Sequence, residues 1–187
     1  MTIHPTPLSE FSYDFSEALD TSEFLPDGFY KVADAVIKED NYFIRNPEVN
    51  PIAYVPTPEC ESSYKVYKEV IYVLSIDGKV AKIGGTKVGM KGRFSSYNCG
   101  TRKARAKGTC SVTNYNITES QFSALMNGST VEWFAYDVPE VVAELDVFGE
   151  SHKVKTSLFT KFEAVLLSHY KELTGTFPIL SDNSGVD

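Results

Sequence analysis

Residues 69–84, EVIYVLSIDGKVAKIG, decide the fold. Val70, Ile71, Tyr72, Val73, Leu74 and Ile76 put apolar side chains on both faces of one short run, which predicts a strand in the middle of a sheet. Asp77-Gly78 turns the chain, and residues 80–84 return as the second strand of a β-hairpin. Two registers are open. A two-residue loop sets Tyr72 opposite Ile83 and sends Lys82 to the other face. A three-residue loop closed by Gly78 sets Tyr72 directly opposite Lys82, with Cβ atoms about 5 Å apart.

Downstream, Gly84-Gly85 and Gly89 predict a loop, and residues 90–97 a short helix with Met90, Arg93, Phe94 and Tyr97 at spacings of three and four. Residues 98–116 read as a basic loop, 117–125 as a helix capped by Thr118, and 131–138 as another strand. A helix over 157–173 places Leu158, Phe162, Val165, Leu166, His169, Tyr170 and Leu173 on one face, with Gly175 as its stop. Glu163 falls at the border of that stripe, between Tyr170 and Leu167. A carboxylate against apolar neighbours is costly unless paired, protonated or bound to a cation.

Upstream, residues 14–25 suggest a short helix, and 29–37 with 42–45 a hairpin around Glu39-Asp40-Asn41. Pro47, Pro51, Pro56 and Pro58 mark residues 46–58 as an extended junction. The expected organisation is an acidic N-terminal arm over 1–65 and a main domain over 66–187.

The chain has 187 residues with a net charge of −7, distributed unevenly. Between Gly78 and Thr118 there is no acid, while nine Lys and Arg side chains give +9, leaving −16 elsewhere. Residues 1–63 alone carry 12 carboxylates against Lys31, Lys38 and Arg45. One basic stripe on an acidic body points to a localised phosphate-binding surface, or, more plainly, to a solvated basic loop. No apolar run approaches the roughly 20 residues that span a bilayer, and no secretory signal is visible, so a cytoplasmic, intracellular chain is expected. Cys60, Cys99 and Cys110 form no CxxC pair, which argues against a disulfide framework or a zinc site.

In the second register an ammonium beside the Tyr72 phenol would lower its pKa from about 10 and suit it to general-base work. Taken in order, these elements resemble the GIY-YIG nuclease superfamily. Val70-Ile71-Tyr72 stands where the GIY tripeptide would be and Lys82-Ile83-Gly84 where YIG would be; Arg93 follows on the short helix and Glu163 on the late one. The resemblance spans 70–183. Val70 replaces the first Gly and Lys82 the second Tyr; a lysine there occurs in the type II restriction-enzyme branch. Tyr97 matches the His or Tyr found one turn after the Arg, and Asn183 is the candidate for a late Asn.

The resemblance implies an α/β (α+β) fold, a small antiparallel sheet flanked by helices, and a sequence-specific DNA endonuclease. Tyr72, with Lys82, would activate water; Arg93 would clamp the phosphate; Tyr97 would hydrogen-bond the phosphate or the water. Glu163 would ligate a single Mg²⁺ or Mn²⁺. Lys87, Lys91, Arg102, Lys103, Arg105 and Lys107 are the candidate DNA contacts, the 29–45 hairpin a base-reading element, double-stranded DNA the partner and a homodimer the assembly. A homing or repair nuclease of the same superfamily, a catalytically silent nucleic-acid-binding module and an acidic interaction protein remain open.

Overall fold

The computed structural model describes residues 8–38, 49–60 and 64–181. Its frame is a five-stranded sheet of β1 (Tyr30–Ile37), β2 (Ile52–Pro56), β3 (Val70–Ile76), β4 (Lys79–Thr86) and β5 (Val131–Asp137), ordered β2-β1-β5-β3-β4. Every strand pair is antiparallel. A separate two-stranded ribbon joins β6 (Val141–Val147) to β7 (Glu150–Thr156). The helices are α1 (Thr21–Phe24), α2 (Gly89–Asn98), α3 (Arg102–Ala106), α4 (Val112–Met126) and α5 (Phe159–Thr174). None of the described helices is long and apolar enough to cross a membrane.

The expected mixed α/β architecture, a small antiparallel sheet flanked by helices, is the one observed. All seven residues of β3 are buried, because β3 lies between β5 and β4 and is covered on both faces. Tyr72, Leu74 and Ile76 join Phe94, Tyr97, Ile117, Phe122 and Trp133 in one core. Ile71 and Val73 join Ile83, Leu166, Leu167 and Tyr170 in the other. A two-sided strand needs apolar residues at odd and even positions alike, which is why the 70–76 pattern is continuous.

Several local expectations change. β1 pairs with β2 at Ile52–Pro56, inside the stretch read as a Pro-rich junction, while residues 42–45 lie outside the described residues. The sheet therefore draws strands from both sides of the expected boundary at residue 65. Helix at 14–25 is limited to α1, and β4 continues through Gly84-Gly85 rather than stopping there. The basic stretch read as loop contains α3 and the first turns of α4, which starts at a Ser111 cap rather than at Thr118. The Ser111 hydroxyl accepts from the Asn114 N–H, as an N-cap should. The β6–β7 ribbon has no counterpart in the sequence reading.

α5 is also turned relative to expectation. Leu166, Leu167 and Tyr170 are buried, whereas Val165 is 65% and Leu173 57% exposed. At about 100° per residue, a face centred on 166, 167 and 170 has Glu163 at its middle, not its border. The helix packs against edge strand β4, where Gly85 leaves room for the Glu163 carboxylate.

Candidate active site

The hairpin register differs from both expected ones. Ile76 pairs with Lys79 across a two-residue turn in which Asp77 and Gly78 have φ of 50° and 75°, as an Asp-Gly hairpin turn requires. A bulge at Ala81 then shifts the ladder, so that Leu74 faces Lys82 and Tyr72 faces Gly84. Tyr72 and Lys82 share a sheet face, two positions apart along the strand instead of directly opposed.

Gly84 and Gly85 make room on opposite faces of the edge strand. A Cβ on Gly84 would lie 2.4 Å from the Tyr72 ring and hydroxyl, and a Cβ on Gly85 2.8 Å from Glu163 Oε2 and 2.6 Å from the Phe159 ring. Tyr72 and Glu163 thus approach β4 from its two sides, each lying over a missing side chain. Sequence reading took this Gly-Gly pair for a loop; its functional signal was there, but only the register shows what each glycine accommodates.

Two polar groups meet the Tyr72 hydroxyl. Arg93 Nε donates to it at 2.9 Å, and the Tyr97 hydroxyl lies 3.0 Å away. The Arg93 guanidinium also stands 4.4 Å from the centroid of the Tyr97 ring and 5.4 Å from that of Tyr72, within cation–π range. Tyr97 is held from its backbone: Thr118 Oγ1 (3.0 Å) and Asn50 Nδ2 (3.2 Å) both donate to its carbonyl at the end of α2. Trp133 packs on both tyrosine rings, with its Nε1 donating to Gln121 Oε1 at 3.0 Å.

Burial raises the Tyr72 phenol above its ordinary value, against the lowering effect of Arg93 and of the Tyr97 hydrogen bond. This corrects the expectation of a phenol lowered by Lys82. The cation at Tyr72 is Arg93, and Lys82 Nζ instead donates to the Leu180 carbonyl at 3.1 Å. Burial, and then the Tyr72 oxygen beside it, hold the Tyr97 phenol well above its ordinary value too. Burial raises the Glu163 carboxyl, partly offset by the charges of Lys82 and Arg93 and a hydrogen bond from the Gly85 backbone.

Tyr72, Arg93, Tyr97, Lys82 and Glu163, separated by up to 91 positions, therefore sit within electrostatic reach of one another. Asn183 lies outside the described residues. Among the described residues no group of three His, Cys, Asp or Glu could hold a metal. The donor set is one half-buried carboxylate in a glycine cradle. That suits a hard ion such as Mg²⁺, which keeps most of its waters and takes one or two carboxylates plus substrate oxygens.

The chain shares its fold with solved endonucleases. Restriction endonuclease HPY188I in complex with product DNA matches with a TM-score of 0.58 and 23% identity, covering 95% of this chain and 91% of that one. A mutant of bacteriophage T4 EndoII matches with a TM-score of 0.53 and 18% identity, covering 81% of this chain and 92% of that one. The first match reaches well beyond the 70–183 span of the sequence resemblance. Sequence comparison finds no matching protein family and no matching curated protein.

Of the six basic side chains expected to meet DNA, Lys87, Lys91, Lys103, Arg105 and Lys107 are exposed. Arg102 differs. Its Nε and Nη2 donate to Glu119 Oε1 and Oε2 at 2.8 and 3.0 Å, a two-pronged pair that ties α3 to α4.

Proposed function

We propose that this chain is a metal-dependent DNA endonuclease of the GIY-YIG kind, cutting double-stranded DNA at specific sites in the manner of type II restriction enzymes. The observation that carries the reading is the convergence of the Arg93 Nε–H and the Tyr97 hydroxyl on the Tyr72 hydroxyl, on a fold shared with two DNA endonucleases.

A phenolate at Tyr72 would be stabilised by Arg93 Nε–H and Tyr97 O–H, so Tyr72 is the base that takes a proton from the attacking water. Arg93, whose guanidinium also hydrogen-bonds Tyr97, would hold a phosphate, for which a planar guanidinium is the fitting partner. Glu163 would hold a Mg²⁺ or Mn²⁺ ion, which when bound supplies positive charge to the phosphate and the leaving oxygen. Lys82 adds positive potential beside Glu163. Lys87, Lys91, Lys103, Arg105 and Lys107 would line the approach of the backbone, with Arg102 holding α3 in place. The carboxylates of residues 1–65 would keep phosphates from other surfaces, and a homodimer would supply two sites for a double-strand break.

The test is cleavage of supercoiled and long mixed-sequence DNA with Mg²⁺ or chelator, beside Glu163→Ala and Tyr72→Phe. Discrete Mg²⁺-dependent bands that vanish in both variants are expected. Intact DNA that still shifts on a gel would replace the nuclease by a silent binding module; neither cleavage nor shift would leave an acidic interaction protein.

A further inference from the structure

The segment that leads into β3 is pinned at both ends. On one side Tyr64 lies against the Phe94 ring, centroids 5.8 Å apart, and the Gly89 N–H donates to the Lys68 carbonyl at 2.9 Å. The fit is close, since a Cβ on Gly89 would collide with the Val66 carbonyl oxygen. On the other side the Glu69 carboxylate accepts from the backbone N–H groups of Leu158 and Phe159, at 2.9 and 3.2 Å, and from the Ser157 hydroxyl. Residues 64–69 therefore bridge the N-terminus of α2, the helix of Arg93, and that of α5, the helix of Glu163.

Between the pins Lys65, Val66 and Tyr67 are exposed, Tyr67 to 73%. Among the described Phe, Tyr and Trp side chains only Tyr67 and Phe148 are exposed. One apolar side chain in water is ordinary. Two adjacent ones, on backbone fixed between the two helices of the candidate site, put apolar surface where the substrate arrives. Five residues separate Tyr67 from Tyr72, so at most about 18 Å of chain lies between them, the rise of about five base pairs. Charge selects the same occupant. Lys65 lies in the segment, and Lys87 and Lys91 flank the Gly89 contact, all three exposed. The acids bonded to the segment are already engaged: Asp137 by Lys68 Nζ at 2.6 Å and the Tyr30 hydroxyl at 2.7 Å, and Glu69 by the start of α5. Lysines suit phosphates, and an exposed ring among them suits bases.

We infer that Tyr67, backed by Val66, is a wedge that packs on the bases of the bound duplex within about five base pairs of the cut phosphate, with Lys65 on a neighbouring phosphate. The inference rests on the nuclease reading, and its test separates the two. Binding of a mixed-sequence duplex is measured in chelator over a range of salt. Tyr67→Ala should weaken it about tenfold or more at every salt concentration and leave the slope of log binding constant against log salt unchanged. Lys65→Ala should lower that slope by about 1. Tyr67→Trp keeps a ring and should bind as the parent does, and the exposed Tyr67→Ala should melt with the parent. Plasmid cleavage by the same parent preparation reads the nuclease claim by itself. A parent that binds no more tightly than Tyr67→Ala, or a Tyr67→Trp as weak as Tyr67→Ala, would overturn the wedge and leave the nuclease reading standing. A parent that binds no duplex would overturn both.

Discussion

The Tyr72 oxygen is the atom on which the proposed chemistry turns, and its raised pKa sets the pH dependence. A base whose phenol titrates above its reference of about 10 is protonated at neutral pH, so activity should climb with unit slope from pH 7 and reach no plateau below pH 10. Tyr72→Phe should lower kcat by about 100-fold or more with DNA affinity unchanged, the usual scale of a lost general base. Tyr97→Phe removes a donor to the phenolate and should move the profile to higher pH; a profile flat between pH 7 and 9 would remove Tyr72 as the base. Glu163 gives a prediction of opposite character. Its carboxyl is raised above the unfolded value, so above pH 4.5 the unfolded state releases a proton that the folded state retains. Stability present at pH 4 is therefore lost as pH rises towards the folded value. In chelator, Glu163→Gln should match the parent Tm at pH 4 and exceed it at pH 7 by about 1–3 °C. Mg²⁺ should raise the parent's Tm and leave the variant's unchanged.

The β3–β4 hairpin has its own test, because its three glycines play three different parts. Gly84→Ala would drive a methyl into the Tyr72 ring, and Gly85→Ala one into Phe159 and Glu163. Each should cost about 1–3 kcal/mol by overpacking, with cleavage lost beyond what stability explains, since each displaces a group of the site. A Cβ on Gly78 would meet nothing within 4 Å, but the φ of 75° there strains any other residue. Gly78→Ala should cost about 1 kcal/mol through the backbone alone and leave cleavage of the folded fraction intact. Chemical denaturation beside plasmid cleavage separates the three. For α3, replacing Lys103, Arg105 and Lys107 by Ala should reduce the slope of log binding constant against log salt by about 2–3 if all three meet phosphates. Arg102→Ala should instead destabilise the fold, because it leaves the buried Glu119 carboxylate without its partner.

At the scale of the molecule, the aromatic core fixes the alkaline limit of stability. Tyr54, Tyr72 and Tyr97 are all raised, with burial the largest cause in each. In the unfolded chain they titrate near pH 10. Beyond that pH the unfolded state has released protons that the folded state still binds, so stability is complete below about pH 10 and falls above it. Tyr54→Phe loses a hydrogen bond to Gln121 and should be less stable at pH 8 by about 1 kcal/mol. The gap should narrow by pH 11 in thermal melts, where the parent alone keeps that raised phenol.

The sequence by itself determined the elements whose signals are local: the two-sided strand β3, the Asp-Gly turn, the Arg93 helix, α5 with its Gly175 stop, and the acid-free basic stretch. It also brought forward Tyr72, Lys82, Arg93, Tyr97 and Glu163, because their order and residue types need no coordinates. The Ala81 bulge was not legible, since nothing in Val80-Ala81-Lys82 distinguishes a regular strand from one with an extra residue. Nor was the rotation of α5, because Val165 and Leu173 look like core residues until it is known that the helix lies over Gly85. The tertiary structure alone decided that Arg93, not Lys82, donates to Tyr72, and that Arg102 is spent on Glu119. It alone set Tyr72 and Glu163 on opposite sides of one glycine pair. Periodicity fixes which residues form an element, whereas register and helix rotation are settled by packing between elements distant in the chain.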